Sequence, residues 1–446
     1  MTPYRDILRL VWPLALGMIN NAVMQFVDRA YLAADSLTAL EAVLPAGMLM
    51  WIFAGFFQSV VGYSSVFTGQ FHGAGEAGKC RAAYRTALVL ALIFGLLSLP
   101  LLPAGNAILS ATVASPALLK DESVYYNLLM YGAVFVYGQM AAASYFTGRG
   151  RTRIVFWANL IGNLLNIALD PFLIFGWCGL PRLGIAGAAI ATVFSMFVQM
   201  VLLMIAAERE LKQLGRPAAS ARDCRLVPLA GKILRFGIPS GFHSVLNCLS
   251  FTIFVFVTGG IGELELAVSN ACFTVNYLLI APMEGFALGA STLVAQAIGR
   301  GDPAEAMRAT RRTLLLGVGF VAALSALALV FSHPILSFFA SKAGADAARF
   351  HTLGFTLFLL MAAWQVFDAA DVILSGALKG AGDTRFVMVW MLITSFAVWM
   401  PLVFLVRHFR NTMPALWSTM VFFVVLISAG SLLRWRRGAW RRHRLV

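Results

Sequence analysis

Asn159-Leu-Ile-Gly-Asn-Leu-Leu-Asn-Ile-Ala-Leu-Asp170 sets Asn159, Asn163, Asn166 and Asp170 at steps of four, three and four residues in an otherwise apolar stretch. Those steps place the four polar side chains on one stripe of an α-helix. Leu160, Ile161, Leu164, Leu165, Ile167, Ala168 and Leu169 make the sleeve around it, suited to lipid or to neighbouring helices. A carboxylate at the centre of a membrane helix costs about 2.5–3.5 kcal/mol on insertion scales, and it normally faces a bundle interior or a wet cavity. The stripe therefore reads as the wall of a pathway.

The rest of the chain supports a membrane setting. Of its 446 residues 60% are hydrophobic, where a soluble domain has about half, and the mean hydropathy is +0.81. Twelve apolar runs of spanning length follow one another, among them 7–32, 43–69, 123–147, 153–176, 183–207 and 412–433. The first run lacks a small-residue cleavage site and carries polar residues of its own, so it is read as a retained span. The expected fold is an all-α polytopic membrane protein of twelve transmembrane helices.

A net charge of +14 would suit nucleic acid if the basic residues formed one surface. Instead they alternate by side. Arg5, Arg9, Lys79, Arg81, Arg85, Arg149, Arg151, Arg153, a middle loop from Arg209 to Arg235 and the Arg434–Arg444 tail fall together; Arg29, Lys120, Arg182, Lys342, Arg349, Arg407 and Arg410 fall opposite. Basic flanks stay cytoplasmic, so a multi-pass inner-membrane protein with both termini cytoplasmic is expected, in contact with membrane lipids and with no nucleic-acid partner. Cys80, Cys178, Cys224, Cys248 and Cys272 show no CxxC spacing and read as free thiols. The six histidines, His333 and His351 among them, have no metal-ligand spacing. Neither a structural metal nor a cofactor is expected.

The second half of the chain repeats the first. Pro13 meets Pro239, Asn21 meets Asn247, Gln70 meets Gln296 and Arg85 meets Arg311 at an offset of 226, and Gly148-Arg-Gly-Arg-Thr-Arg153 meets Gly380-Ala-Gly-Asp-Thr-Arg385 at 232. Six helices per repeat is an even number, so the repeats share one orientation and a substrate is expected where they face each other. The reading divides the chain into an N-lobe at 1–210, a linker at 211–227 containing Gly215-Arg-Pro217, a C-lobe at 228–434 and a basic tail at 435–446.

The acids do not repeat. Asn21, Gln25 and Asp28 form a second polar stripe on helix 1, yet Asp28 is matched by Phe254; Asp170 is matched by Met400; and Asp368 and Asp371 on helix 10 are matched by Val136 and Gln139. Residues that recur belong to the shared fold, so the chemistry is sought in the acids. Helix 8 places Asn270, Thr274, Tyr277 and Glu284 near one face, with Glu284 either a fifth acid or a partner for backbone left open by Pro282. Asp371 is either a second acid beside Asp368 or a water-facing residue. Asn21, Gln25, Asn159, Asn163 and Tyr277 are the candidate cavity residues, and Asp368, Asp371, Glu284 and Asn247 the C-lobe candidates. Pro13, Pro171, Pro239, Pro282 and Pro401 imply kinks or local unwinding. Phe251, Phe254, Phe256, Tyr277, Trp364 and Phe367 either pack the bundle or line a pocket for flat cations. Asp35 and Glu41 read as solvated in an external loop, and Lys379, Asp383 and Arg385 as a cytoplasmic loop cluster.

Over essentially its whole length the chain resembles the MATE (multidrug and toxic compound extrusion) family. The resemblance rests on Val27-Asp28, on Asn166 with Asp170-Pro-Phe-Leu-Ile-Phe-Gly176, on Gly184-Ile-Ala-Gly-Ala-Ala-Ile-Ala-Thr192, on Gln296-Ala-Ile-Gly299, and on Ser375-Gly376 through Gly382-Asp-Thr384, in that order. It implies a V-shaped pair of six-helix lobes, acting as a monomer, that exports organic cations or other amphipathic small molecules in exchange for Na⁺ or H⁺. It also implies that Asp28, Asn166, Asp170 and Thr192 form the cation or proton site, and that Asp368 stands for the helix 10 acid of the NorM-like branch. Asn247 replaces that branch's helix 7 glutamate, and Arg29 is basic where many members are neutral.

The alternative within the same superfamily is a flippase for lipids or lipid-linked saccharides, which would need a basic cluster for phosphate, and the spans contain no cluster of arginines. The loop Phe71-His-Gly-Ala-Gly-Glu-Ala-Gly-Lys79 lacks the Asp-Arg-rich signature of the major facilitator fold. An intramembrane enzyme would need a nucleophile with its base, or metal ligands, and no His-Glu-x-x-His or Gly-x-Ser-x-Gly occurs. A repeated frame with unrepeated acids favours a carrier over a receptor or channel.

Overall fold

The computed structural model describes residues 3–113, 115–213, 226–340 and 346–442, and among them every regular element is a helix. Twelve segments carry the fold: α1 Tyr4–Asp35, α2 Leu37–Gly73, α3 Ala77–Ser98, α4 in two pieces, Pro116–Tyr131 and Ala133–Gly148, α5 Thr152–Phe175, α6 Ile185–Gln213, α7 Leu226–Gly259, α8 Glu263–Gly299, α9 Pro303–Val330, α10 Ala347–Gly380, α11 Thr384–Phe409 and α12 Met413–Arg437. Eleven are each long and apolar enough to cross a membrane unaided. The exception is α4, which the apolar run 123–147 presents as continuous. Its ladder tightens at Gly132, whose carbonyl takes the Phe135 N–H at 2.9 Å while its own N–H keeps the Leu128 carbonyl at 3.1 Å. A side chain at 132 would collide with Val193 of α6, so the residue that breaks the helix also admits its neighbour.

The internal duplication is visible in backbone hydrogen bonds. The turn after α2 bonds Glu76 N–H to the Phe71 carbonyl at 2.9 Å, and the turn after α8 bonds Asp302 N–H to Ala297 at the same distance, with Gly75 and Gly301 at φ of +77° and +75°. The turns after α4 and α10 match in the same way: Arg151 to Phe146 and Asp383 to Leu378, both 2.9 Å, around Gly150 and Gly382. Left-handed backbone at these four positions is cheap only for glycine. A short helix follows α3 and another follows α9, at Leu101–Thr112 and Ser332–Ala340, neither separable by composition from the span before it. The fold is thus twelve helices in two six-helix repeats.

Pro13, Pro171, Pro239 and Pro282 lie inside unbroken helices. Of the five prolines expected to mark kinks, Pro401 alone follows a widened turn, Ile393–Trp399, which is π-helical. Proline has no N–H for the ladder and its ring crowds the preceding turn, and one wider turn absorbs both.

The described residues gather into two compact units, one from the N-terminal residues through Ala15, Val245–Val294 and Pro303 onward, the other from Leu16–Ser244 and Ala295–Asp302. The second is cored by Phe67, Tyr84, Tyr137 and Phe146. The first is cored by stacked aromatics: Phe254 on Trp399 at 5.3 Å, Trp399 on Phe423 at 4.4 Å and Trp364 against Trp417 at 4.9 Å. Phe251 packs on Phe273 in the same core, so Phe251, Phe254 and Trp364 are packing residues; Phe256 and Phe367 are exposed.

Of the two acids expected to be solvated, Glu41 is exposed at the start of α2, while Asp35 is paired. Asp35 ends α1 and accepts from Arg182 Nη2 at 2.6 Å. Asp383, expected in a cluster with Lys379 and Arg385, accepts a two-pronged bond from Arg434 of α12, 2.7 and 3.2 Å; Arg385 is exposed. In the matching turn of the first repeat, Arg149 and Arg151 close on Glu210 of α6. The linker's start, 211–213, continues α6, and its remainder through Arg225, with Cys224, lies outside the described residues, as does Lys342. Cys80, Cys178, Cys248 and Cys272 are free thiols. α12 runs to Arg437, and Trp440 of the tail folds back to stack on Trp435 at 4.4 Å.

Two contrasts test this packing. The ends of α2 and α8 touch backbone to backbone, so that a methyl on Gly299 would overlap the Gln70 carbonyl and one on Gly73 the Gln296 carbonyl, whereas Gly319 on α9 faces open space. Gly299→Ala should lower the thermal melting midpoint in detergent by several degrees, the scale of about 1–3 kcal/mol for overpacking, and Gly319→Ala should not lower it. Arg434→Ala removes the two-pronged cationic partner of Asp383, which is 3% exposed, and should destabilise by about 3 kcal/mol; Arg85→Ala, removing an exposed pair with Glu208, should cost under about 1 kcal/mol.

Candidate functional site

The polar stripe of α5 faces inward. Asn163, Asn166 and Asp170 are buried, and Asn159 partly so, while Ile161 and Leu164 on the opposite face are exposed. α5 begins after the Gly150 turn and ends at Gly176, whose left-handed φ of +76° stops it one turn past Asp170. Asn163 Nδ2 donates to Asn21 Oδ1 of α1 at 2.6 Å, and Asn163 Oδ1 accepts from Gln199 Nε2 of α6 at 3.2 Å. Asn159 Oδ1 accepts from Gln139 Nε2 of α4 at 3.1 Å. The two stripes found in the sequence therefore meet, with Gln25 half-buried one turn along α1.

Beyond this amide ladder lie the acids. Hydrogen-bonding surroundings orient the Asn166 amide so that its nitrogen donates to Asp28 Oδ1 at 2.9 Å and its oxygen accepts from the Thr192 backbone N–H at 3.2 Å. Thr192 Oγ1 lies 3.5 Å from the same amide. Asp28 and Asp170 stand within hydrogen-bonding reach of each other. Asp170 is 0% exposed, and neither of its carboxyl oxygens receives an N–H or O–H donor. Two carboxylates cannot bond each other without a proton, and a dry pair of like charges this close repels strongly. A proton or a cation between them removes both problems.

Tyr125 of α4 lies in the field of both carboxyls and packs on the apolar cluster of Leu32, Val43 and Ile174 beside them. Neither it nor Gln199 was reached by sequence reasoning. Gln199 continues a buried polar stripe on α6, Thr192, Ser195 and Gln199 at steps of three and four, which could have marked it; for Tyr125 only the packing of the helices shows where it points.

The other unit holds its acids differently. Asp371 is buried, so it is not a water-facing residue, and its Oδ1 accepts from Ser431 Oγ of α12 at 2.6 Å and from Ser375 Oγ at 3.5 Å. Asp368 is partly buried and feels Asp371 and Glu284, and Lys379 interacts electrostatically with Glu284 and Asp371. Glu284 is exposed and does not cap backbone freed by Pro282; Asn270, Thr274 and Tyr277 on its helix are exposed as well, and so is Asn247. A buried chain that spacing did not mark runs Ser325 to Gln365 to Asn276, at 2.5 and 2.9 Å. His333 and His351, unrelated by spacing, stack at 4.6 Å.

The MatE family model matches residues 13–172 and again 239–405, once in each repeat. The chain is 28% identical over 400 residues to a probable multidrug resistance protein NorM of Bradyrhizobium diazoefficiens, covering 89% of this chain and 85% of that one. A multidrug resistance protein NorM of Burkholderia vietnamiensis is 26% identical over 398 residues, covering 88% and 84%. Among solved structures, the Vibrio cholerae MATE transporter VcmN superposes with a TM-score of 0.86 at 16% identity over 99% of this chain and 98% of that one. A MOP superfamily transporter from Pyrococcus furiosus gives 0.83 at 20% identity over 99% and 97%. The likeness to these structures shows the fold, and the family match spans most of both repeats: the chain is a multi-pass membrane protein that belongs to the MatE family of transporters.

Proposed function

We propose that the chain is a secondary active exporter of small organic cations or other amphipathic compounds, working by alternating access between the lobes at 1–210 and 228–434 in exchange for Na⁺ or H⁺. The observation that carries this reading is the Asp170 carboxyl, buried, without a donor, facing Asp28. An occupant, ion or proton, is needed to hold that pair together, and emptying the site returns the repulsion. A site whose packing depends on its occupant binds that occupant differently in two conformations, and such a difference in affinity is all that coupling requires. Asn166 and Thr192 fix Asp28 against α5 and α6, so the change of charge is delivered to α1. The relatives named as multidrug resistance proteins support export of varied small molecules.

The exposed polar stripe of α8, Asn270, Thr274 and Tyr277 with Glu284, belongs to a wetted face in this reading, because a polar stripe at membrane depth is costly against lipid. The acids Asp368 and Asp371 take a secondary part. Asp371 already has two hydroxyl donors and does not depend on an occupant in the way Asp170 does. The chain lies in the cell's inner membrane with both termini cytoplasmic.

Purified protein in liposomes tests the reading with ethidium as the flat cationic probe, imposing Na⁺ and pH gradients separately. Wild type should expel ethidium under one of the two, which identifies the coupling ion. Asp28→Asn and Asp170→Asn should each lose gradient-driven efflux, and undiminished efflux in both removes the assigned role. Asp371→Asn should retain a substantial part of the rate. Failure of ethidium transport together with movement of a lipid-linked saccharide would turn the assignment to a flippase.

A further inference from the structure

A third carboxyl lies at the same level of the bundle. Glu122, in the first piece of α4, is 1% exposed, and its Oε2 has no hydrogen-bonding partner. No apolar neighbour offsets that, since burying a carboxylate without a partner costs several kcal/mol. The adjacent hydroxyl is committed elsewhere: Tyr126 Oη donates to the Leu101 carbonyl at 3.1 Å. Lys120 is exposed and Asp121 partly so.

Position along the helices places this acid at the depth of the pair. Glu122 lies six residues past Pro116, where α4 begins; Asp170 lies five residues before Phe175, where α5 ends; Asp28 lies seven before Asp35, where α1 ends. At 1.5 Å per residue all three sit about 8–11 Å in from the same end of the bundle, the end remote from the N terminus. Leu118, Glu122 and Tyr125 share one stripe of α4 by their spacing of four and three. Leu118 and Tyr125 pack on the cluster of Leu32, Val43 and Ile174 next to the acid pair, and Tyr125 lies in the field of both Asp28 and Asp170.

We propose that Glu122 is a staging site for the coupling ion, a carboxyl that holds the Na⁺ or proton at the depth of the Asp28–Asp170 pair before it passes to them. The inference rests on the proposed role of that pair. A lone buried carboxyl suits transient occupancy, binding the ion on its way and releasing it to a site with two carboxyls and an amide.

The same liposomes test it with ethidium efflux measured against the concentration of whichever ion drives transport. Glu122→Gln should raise the half-saturating ion concentration about tenfold, as loss of a supporting ligand does, while the maximal rate at saturating ion is kept. Glu122→Asp, which retains a carboxyl, should fall between Glu122→Gln and wild type and covers the case in which the glutamine variant does not fold. An ion dependence unchanged in both variants overturns the staging role. If Asp170→Asn in the same series loses coupling while both Glu122 variants behave as wild type, the staging site alone fails. If Asp170→Asn keeps its coupling, the underlying reading fails with it.

Discussion

Close approach of α6 to α5 is the constraint on which the polar interior depends. A side chain at Gly187 would strike the backbone of Leu173 and Ile174, and one at Gly162 would strike Gln199. With hydrogen in both places the two helices meet tightly enough for Gln199 to reach Asn163 and for Thr192 to reach Asn166. Small residues at helix crossings do this generally in membranes, where lipid is as apolar as leucine and association relies on contact and on hydrogen bonds between helices. The counterpart pair α11 and α12 also meets at a glycine, Gly430, but the group filling that space is the Trp390 indole, whose Nε1 donates to the Ile427 carbonyl at 3.1 Å. One repeat uses its close crossing to align amides; the other uses it to seat aromatics. Polar chemistry at depth follows the first choice.

The two groups of acids differ in what surrounds them more than in how many there are. Asp371 has Ser431 and Ser375 as donors, and its charge or its proton can be accommodated where it is. Asp170 has none, and the group in reach is another carboxyl. A buried polar group left without a partner loses its hydration and gains nothing in return, so a protein retains one where something arrives to satisfy it. That contrast is the reason the proposed ion site is placed at Asp28 and Asp170 before Asp368 and Asp371.

Much of this was legible from the residues. Long apolar runs define spans without ambiguity because nothing else satisfies twenty consecutive backbone amides in lipid, and the stripe from Asn159 to Asp170 is legible because helical period puts residues at three and four on one face. What the sequence withheld depends on how helices rotate against each other. Tyr125 and Glu122 come from a helix whose own pattern does not set them apart, and their importance lies in partners more than 25 residues away along the chain or in having no partner at all, whereas Gln199 extends the α6 stripe of Thr192 and Ser195, a signal that was there to read. Asp35 with Arg182 and Asp383 with Arg434 are pairings of the same kind, long in sequence and short in space. The break at Gly132 escaped because a glycine within an apolar run has no signature unless the colliding neighbour, Val193, is known.

The repeated turns show which features duplication holds and which it releases. Backbone bonds around Gly150 and Gly382 agree in length, yet the side chain at the same place in the turn is Arg151 in one repeat and Asp383 in the other. Each closes on the helix that ends its repeat, Arg151 on Glu210 and Asp383 on Arg434. Coulomb attraction is indifferent to exchanging the two signs, so the clasp survives reversal. The helix dipole is not indifferent: a cation near a helix C-terminus is favoured and an anion there is not. Arg434, in the last turn of α12, needs one aspartate, while Glu210, near the end of α6, is met by both Arg149 and Arg151. An acid pair of like sign has no such symmetry. Moving Asp28 or Asp170 to the other repeat would give a different protein, and this is why the frame of this chain is doubled while its acids are not.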